Sequence, residues 1–182
     1  MERALIFPGS FQSVKNYGGY RGVDIWLRST PAGEIPPAAC YIGHSGGASF
    51  VLSRYDSLRP GKLIFVNPFV KKRRIAVLIW DWLIFLAFEG VRMDKIVPVM
   101  DWPHGIKMLW RVLPIDTWAV MQKIPKEDII VVRGRHDHYF CDDESAAMIR
   151  DAGIKLVEVD AGHDWNGTIA RAVENCLADI RI

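Results

Sequence analysis

Residues 43–47 read Gly43-His44-Ser45-Gly46-Gly47, a Gly-x-Ser-x-Gly spacing set between an apolar run at 38–42 and a helical pattern. A serine on so sharp a strand-to-helix turn needs small neighbours at Gly43 and Gly47, or strand and helix would clash. Its hydroxyl then stands at the carboxyl end of a strand, beside the positive end of a helix dipole. There the Gly46 N–H can face an oxyanion. A serine hydroxyl is a weak nucleophile unless a base takes its proton, and the base needs an orienting acid. Both follow at the ends of later apolar runs: Asp137 after residues 128–133, and His163 after residues 154–159. Asp137 stands 92 residues beyond Ser45 and His163 a further 26, which leaves room for a loop, a helix and a strand between acid and base. In a parallel sheet all three converge on one edge. Asp142 and Asp143, the nearest rival acids, read better as helix caps.

The elements that must position these groups are visible as alternating patterns. Runs at 4–7, 38–42, 62–67, 128–133 and 154–159 are mostly continuous in Leu, Ile, Val and Phe, as strands buried on both faces are. Between them Val51, Leu52, Tyr55 and Leu58 recur at helical spacing, as do Ile169, Val173, Cys176, Leu177 and Ile180. Asp142 or Asp143 can cap a helix that Gly153 ends. The alternation predicts an α/β fold: a three-layer sandwich with a mostly parallel sheet of about five to six strands. Residues 68–125 break the rhythm, being far longer than an ordinary connection. They carry five of the seven tryptophans, Trp80, Trp82, Trp102, Trp110 and Trp118, and Pro98, Pro103, Pro114 and Pro125 cut them into short helices. Within a single domain, 1–182, the stretch 69–124 reads as a Trp-rich helical cap or as padding on one sheet face, and part of it must serve as a crossover.

Composition narrows the classes. Half of the 182 residues are hydrophobic and 24% are charged, which is globular and not disordered. A formal charge of +2 lacks the bias of a nucleic-acid binder. The one basic run, Lys71-Lys72-Arg73-Arg74, reads as a solvated turn. Cys40, Cys141 and Cys176 show no C-x-x-C spacing, so neither a disulfide scaffold nor a zinc site is indicated. The apolar stretch at the N-terminus is too short for a signal peptide. The longest apolar run, Ile75–Phe88, has 14 residues and is interrupted by Asp81, short of the about 20 that a membrane span needs. A buried or interfacial helix is expected there, and a cytoplasmic location.

The order Ser, Asp, His and the turn at 43–47 resemble the α/β-hydrolase fold over nearly the whole chain. Gly134 to Asp137 is similar to that family's acid loop, and Gly162-His163 to its histidine loop. Pro8-Gly9-Ser10-Phe11 resembles its His-Gly oxyanion loop, with proline in place of histidine. The resemblance implies Ser45 as nucleophile, His163 as base and Asp137 as orienting acid. Gly46 and Ser10 would donate N–H groups to the oxyanion, with Phe11 as runner-up to Ser10. His44 would pack or hydrogen-bond beneath the serine, and Phe11, His44, Trp110 and Trp165 are the expected substrate-binding residues. His136 and His138, flanking Asp137, are expected to face solvent. The family's sheet usually has eight strands; by that comparison the first two are expected to be missing here, and residues 12–37 leave room for one helix and a loop. An exposed edge strand favours a homodimer or a covering loop. The implied activity is a serine hydrolase, a carboxylesterase acting on a small-molecule ester with an apolar acyl or aryl group, with no cofactor and no metal. An acyltransferase or amidase on the same triad, or a non-catalytic binding module, stays open.

Overall fold

The computed structural model describes residues 2–29, 35–58, 61–88 and 93–180. Five strands form one sheet, all parallel and laid side by side in chain order: β1 (Glu2–Phe7), β2 (Ala38–His44), β3 (Lys62–Val66), β4 (Ile129–Gly134) and β5 (Lys155–Val159). The register lines up Ile6, Ile42, Ile64 and Ile130 in one row across four strands. Because side chains alternate along a strand, neighbouring residues part to opposite faces. Leu5, Phe7, Tyr41, Leu63, Phe65, Ile129 and Val131 pack in one cluster. Ile6, Cys40, Ile42, Ile64, Val66, Ile130 and Val132 pack in the other.

The helices are α1 (Gly46–Ser53), α2 (Tyr55–Leu58), α3 (Ile75–Phe88), α4 (Trp102–Val112), α5 (Thr117–Met121), α6 (Asp143–Asp151) and α7 (Gly167–Asp179). Strands added successively in one direction place their right-handed crossovers on one face. There Val51 of α1, Val112 of α4, Met121 of α5 and Ile149 of α6 join the first cluster. The opposite face is closed by Ile169, Val173, Cys176 and Leu177 of α7. The result is the three-layer sandwich that the alternating runs imply.

Differences from the sequence expectation have local causes. The helical pattern of residues 46–58 is split at Arg54, where the Ser53 hydroxyl donates to the Phe50 carbonyl at 2.6 Å, an alternative bond that competes with the helix. Strand β4 starts at Ile129, because Pro125 opens a single tight turn over Lys126–Asp128. The edge strand β1 is covered: the Ile6 N–H donates to the Arg21 carbonyl (2.9 Å) and the Val23 N–H to the Ile6 carbonyl (3.0 Å). That short strap stands where another strand would otherwise pair. The basic run is only half solvated. Lys72 and Arg74 are exposed, whereas Lys71 pairs with Asp142 and Glu144, and Arg73 with Asp81 and Asp142.

Strands β3 and β4 are neighbours, so everything from α3 to α5 is their crossover. Helix α3 is apolar on nearly every side. Phe85 is buried, while Val77, Ile79, Trp80 and Leu83 are 44–62% exposed. Among the described residues no helix is long and apolar enough to cross a membrane.

One buried cation braces the sheet's carboxyl edge. Arg133 on β4 is 1% exposed; its Nε donates to the Cys141 carbonyl (2.5 Å), Nη1 to Glu158 (2.8 Å) and Nη2 to Asp143 (2.6 Å). Arg133→Ala would leave a buried carbonyl unpaired and a cavity behind it. The expected loss is about 2–4 kcal/mol in urea denaturation. Asp143→Asn, at a carboxylate that is 86% exposed, should leave the urea midpoint unchanged.

Candidate active site

Ser45 lies between the end of β2 and the start of α1 with φ 50° and ψ −119°. A non-glycine residue held there stores about 1–3 kcal/mol of strain. The strain is held in place by the Ser45 N–H, which donates to the Val66 carbonyl (2.9 Å), and by the Ala48 N–H, which donates to the Ser45 carbonyl (3.0 Å). The two flanking glycines are required by space. A Cβ on Gly43 would lie 2.6 Å from the Ala48 Cα, and one on Gly47 would collide with the Phe7 and Pro8 carbonyl oxygens.

Asp137, fully buried in the loop after β4, is held by four hydrogen bonds. Its Oδ1 accepts from the N–H groups of Tyr139 (3.2 Å) and Phe140 (3.1 Å), and its Oδ2 from the Cys141 N–H (3.1 Å) and from His163 Nδ1 (2.7 Å). Burial works to raise the pKa of this carboxyl. The charge and hydrogen bond of His163, with the Phe140 and Tyr139 N–H groups, outweigh it and hold the group below the usual range. With Nδ1–H committed to a carboxylate, the lone pair of His163 Nε2 faces the Ser45 hydroxyl at 2.9 Å. The rings of Phe140 and Phe85 close over the imidazole, with centroids 4.6 and 5.4 Å away. This arrangement can pass a proton from an attacking hydroxyl to a nearby leaving group.

Two buried side chains hold the histidine loop by its backbone. Asn67, just past β3, accepts from the Gly134 N–H (2.8 Å) and donates to the carbonyls of Gly162 (3.1 Å) and His163 (2.7 Å). His44 Nε2 donates to the same His163 carbonyl at 3.0 Å. Its Nδ1 lies 2.7 Å from the Tyr17 hydroxyl, which also meets Gln12 Oε1 (2.5 Å) and accepts from the Gly9 N–H (2.7 Å). Gln12 in turn donates to Asp164, which Lys95 neutralises at 2.6 Å. A polar chain thus runs beneath the serine from the loop after β1 to the loop after β5. Burial first, and the nearby charge of His163 second, push the pKa of His44 down to about 4, so its ring is neutral. No sequence signal marked Tyr17 or Lys95, and Asn67 read only as the last residue of a strand.

The loop after β1 is equally constrained. A turn closed by the Gln12 N–H on the Gly9 carbonyl (2.9 Å) sets Phe11 at φ 59°. Trp26 Nε1 donates to the Pro8 carbonyl at 2.9 Å. This places Ser10 against Gly46. Two small hollows meet at Ser10. One, of about 30 Å³, is lined by His44, Ser45, Phe85 and His163; the other, of about 50 Å³, is an apolar slot between Leu78 and Ile79 of α3 and Leu109 and Leu113. They share Phe69, Trp82 and Phe140 as well.

Three of the residues expected to bind substrate sit elsewhere. Trp110 is 53% exposed; steps of about 100° per residue along α4 turn Leu109 and Leu113 to the slot and Trp110 onto the flank. Phe11 stacks on Trp26, ring centroids 5.8 Å apart, and is part of the core. Trp165 is buried behind the site against Tyr17 (4.8 Å) and His44 (6.1 Å). His136 and His138 are exposed, and His136 pairs with Asp160 at 2.7 Å.

No protein-family model matches this chain, and no curated protein matches it. Solved structures do. A monoacylglycerol lipase of Paleococcus ferrophilus is 12% identical, with 97% of this chain and 93% of that one covered at a TM-score of 0.53. E-2-(Acetamidomethylene)succinate hydrolase is 14% identical, with 98% and 90% covered at 0.59. BioG from Haemophilus influenzae is 11% identical, with 89% and 88% covered at 0.62. The chain has the α/β-hydrolase fold. In this fold, the loops that bring Ser45, Asp137 and His163 together leave the carboxyl ends of β2, β4 and β5.

The neutral His44 makes stability depend on pH in a defined window. Its folded pKa of about 4 lies below the ordinary value of 6.5, so between these pH values the unfolded chain binds the extra proton. Stability is therefore full above about 6.5 and falls, by up to about 3 kcal/mol, as pH drops toward 4. Asp137, depressed, adds a further loss only as pH falls through the carboxylate range. Thermal unfolding from pH 7 to 4.5 should show a declining midpoint, and His44→Gln a shallower decline. Equal slopes would contradict the buried neutral ring.

Proposed function

We propose that this protein is a serine hydrolase that cleaves carboxylic esters with apolar acyl or aryl groups through an acyl-enzyme on Ser45. The observation that carries the reading is the unbroken line from Ser45 Oγ through His163 to Asp137, at 2.9 and 2.7 Å, set on a strained turn at the N-terminus of α1. Two of the similar structures are hydrolases by name, the monoacylglycerol lipase and the succinate hydrolase, which favours hydrolysis over another use of the fold.

In this reading Ser45 Oγ attacks the ester carbonyl while His163 Nε2 takes its proton. The N–H groups of Gly46 and Ser10 receive the oxyanion, and each such donor is worth about 100–1,000-fold in turnover. Asp137 keeps the Nδ1–H tautomer and stabilises the imidazolium. His163 then protonates the leaving alkoxide, and water activated by the same imidazole releases the acid. Helices α3 and α4 serve as the cap, and the slot lined by Leu78, Leu109 and Leu113 receives the acyl chain.

A fluorophosphonate probe should label the wild-type protein at Ser45 and fail to label Ser45→Ala. The same variant should lose at least about 1,000-fold in p-nitrophenyl ester turnover, because the members of such a unit fail together. Across an acyl series, kcat/KM should rise about fourfold per methylene from acetyl to about butyryl or hexanoyl, from about 0.8 kcal/mol of burial each. An unlabelled wild-type protein overturns the activity; a flat series overturns the acyl slot.

A further inference from the structure

We propose that the side-chain hydroxyl of Ser10 is a third donor to the oxyanion, in addition to the two backbone N–H groups. This inference rests on the serine-hydrolase reading and extends it to a group whose environment is otherwise unexplained. Among the described residues, two buried side-chain polar atoms have no hydrogen-bond partner: the hydroxyls of Ser10 and Tyr20. A buried hydroxyl left unpaired costs about 1–3 kcal/mol, so each calls for a reason. Tyr20 stacks edge-on against Trp165 at 6.0 Å, on the side of the sheet away from the slot, and borders a surface hollow with Arg3 and Glu174. Ser10 lies where the chemistry is.

Three observations place its hydroxyl. A Cβ built on Gly46 would collide with Ser10 Oγ, so that oxygen lies against the Cα beside the Gly46 N–H. The next atoms such a Cβ would meet are carbons of the Trp26 ring, at 3.1 and 3.3 Å, which cannot accept a hydrogen bond. Of the four residues shared by the cavity at Ser45 and the apolar slot, Ser10 is the one that carries a hydroxyl. The junction of those hollows is where a scissile carbonyl sits when its acyl chain fills the slot and its carbon faces Ser45. The partner of the Ser10 hydroxyl therefore arrives with the substrate.

The loop is built to keep that donor still. Gly9 is fixed by its N–H on Tyr17, Pro8 by its carbonyl on Trp26, and the turn by the Gln12 N–H on Gly9. Donors held in place before reaction need no reorganisation when charge develops. As the Ser45 oxygen–carbon bond forms, the carbonyl π pair moves onto oxygen and the Ser45 proton moves to His163. The Ser10 hydroxyl donates a hydrogen bond to the new oxyanion and keeps its proton. When the tetrahedral species collapses, the pair returns and the leaving alkoxide takes the proton from His163.

The test compares wild type, Ser10→Ala and Ser10→Thr on p-nitrophenyl butyrate. Ser10→Ala should lower kcat about 100-fold with KM changed less than threefold, while its unfolding midpoint holds or rises, since the orphan hydroxyl is gone. Ser10→Thr, which keeps a hydroxyl, should recover most of that loss. A second readout is independent of turnover. An alkyl trifluoromethyl ketone forms a hemiketal on Ser45, and ¹³C NMR reports the pKa of its oxyanion, which Ser10→Ala should raise by at least about one unit. If wild type labels with fluorophosphonate and turns over ester but Ser10→Ala equals it, this proposal alone is overturned. A lowered kcat with an unchanged hemiketal pKa overturns it too, because the serine is then only part of the scaffold. A wild type that neither labels nor turns over ester overturns the hydrolase reading and this inference with it.

Discussion

The carbonyl oxygen of His163 receives two buried hydrogen bonds, from His44 Nε2 and from Asn67 Nδ2. That grip fixes where the imidazole sits. An imidazole swings easily on its side-chain torsions; fixing its backbone from below and its Nδ1 from behind leaves Nε2 one direction to face. The two donors come from the ends of β2 and β3, and their own second bonds reach further. Asn67 also holds the Gly134 N–H, at the start of the loop that carries Asp137. His44 reaches through Tyr17 to Gly9, on the loop that carries Ser10. Ser45, His163, Asp137 and the loop of Ser10 are thereby tied to one polar layer on top of an apolar sheet. Hydrogen bonds in such a buried layer are electrostatically stronger than the same bonds in water.

Backbone strain is distributed in the same pattern. Among the described residues three non-glycines have positive φ: Phe11, Ser45 and Asn67, in the segments that follow β1, β2 and β3. At about 1–3 kcal/mol each, they would be lost in a weakly packed fold. Here they sit above a row of isoleucines and two continuous clusters of buried side chains. The sheet interior supplies stability, and its carboxyl edge spends part of it on geometry. Strain found at three neighbouring strand ends, Ser45 among them, is an argument that this edge is where the molecule works.

How much of this could be read from the chain alone follows from the range of each interaction. The Gly-x-Ser-x-Gly turn and the apolar runs are local, and the five strands lie within a residue or two of where those runs place them. Asp137 and His163 were legible because each closes such a run. Tyr17 and Asn67 were not. Tyr17 meets His44 across 27 residues, and Asn67 meets His163 across 96, with no periodic pattern to announce either pair. Trp110 shows the opposite error. A tryptophan-rich segment signals apolar area, but only the rotation of α4 decides that Leu109 and Leu113 face the slot and Trp110 faces out. The covering strap at Arg21–Val23 was foreseeable as a need of the edge strand, though not as the specific pairing with Ile6.

One guanidinium links the wall of the slot to the loop that carries Asp137. Asp81 is the one charge within the 14 residues of α3, and it pairs with Arg73 Nη1 at 2.6 Å. The same nitrogen donates to the Tyr139 carbonyl, two residues past Asp137, and Nη2 reaches Asp142, the N-cap of α6. Both partners of the pair are less than a fifth exposed, so these charge-assisted bonds are less screened than those of a surface pair. Phe85 makes a second link, pressing the inward face of α3 onto Tyr139, Phe140 and His163. With cavities of only about 30 and 50 Å³ beside Ser45, the acyl chain of the proposed substrate would have to displace α3 once it outgrew the slot. Doing so would pull on Arg73 and Phe85 together, and through them on the loop that orients His163. Slot size and the seating of His163 are therefore mechanically linked in this fold, set by how firmly a mostly apolar helix is fastened at its single charge.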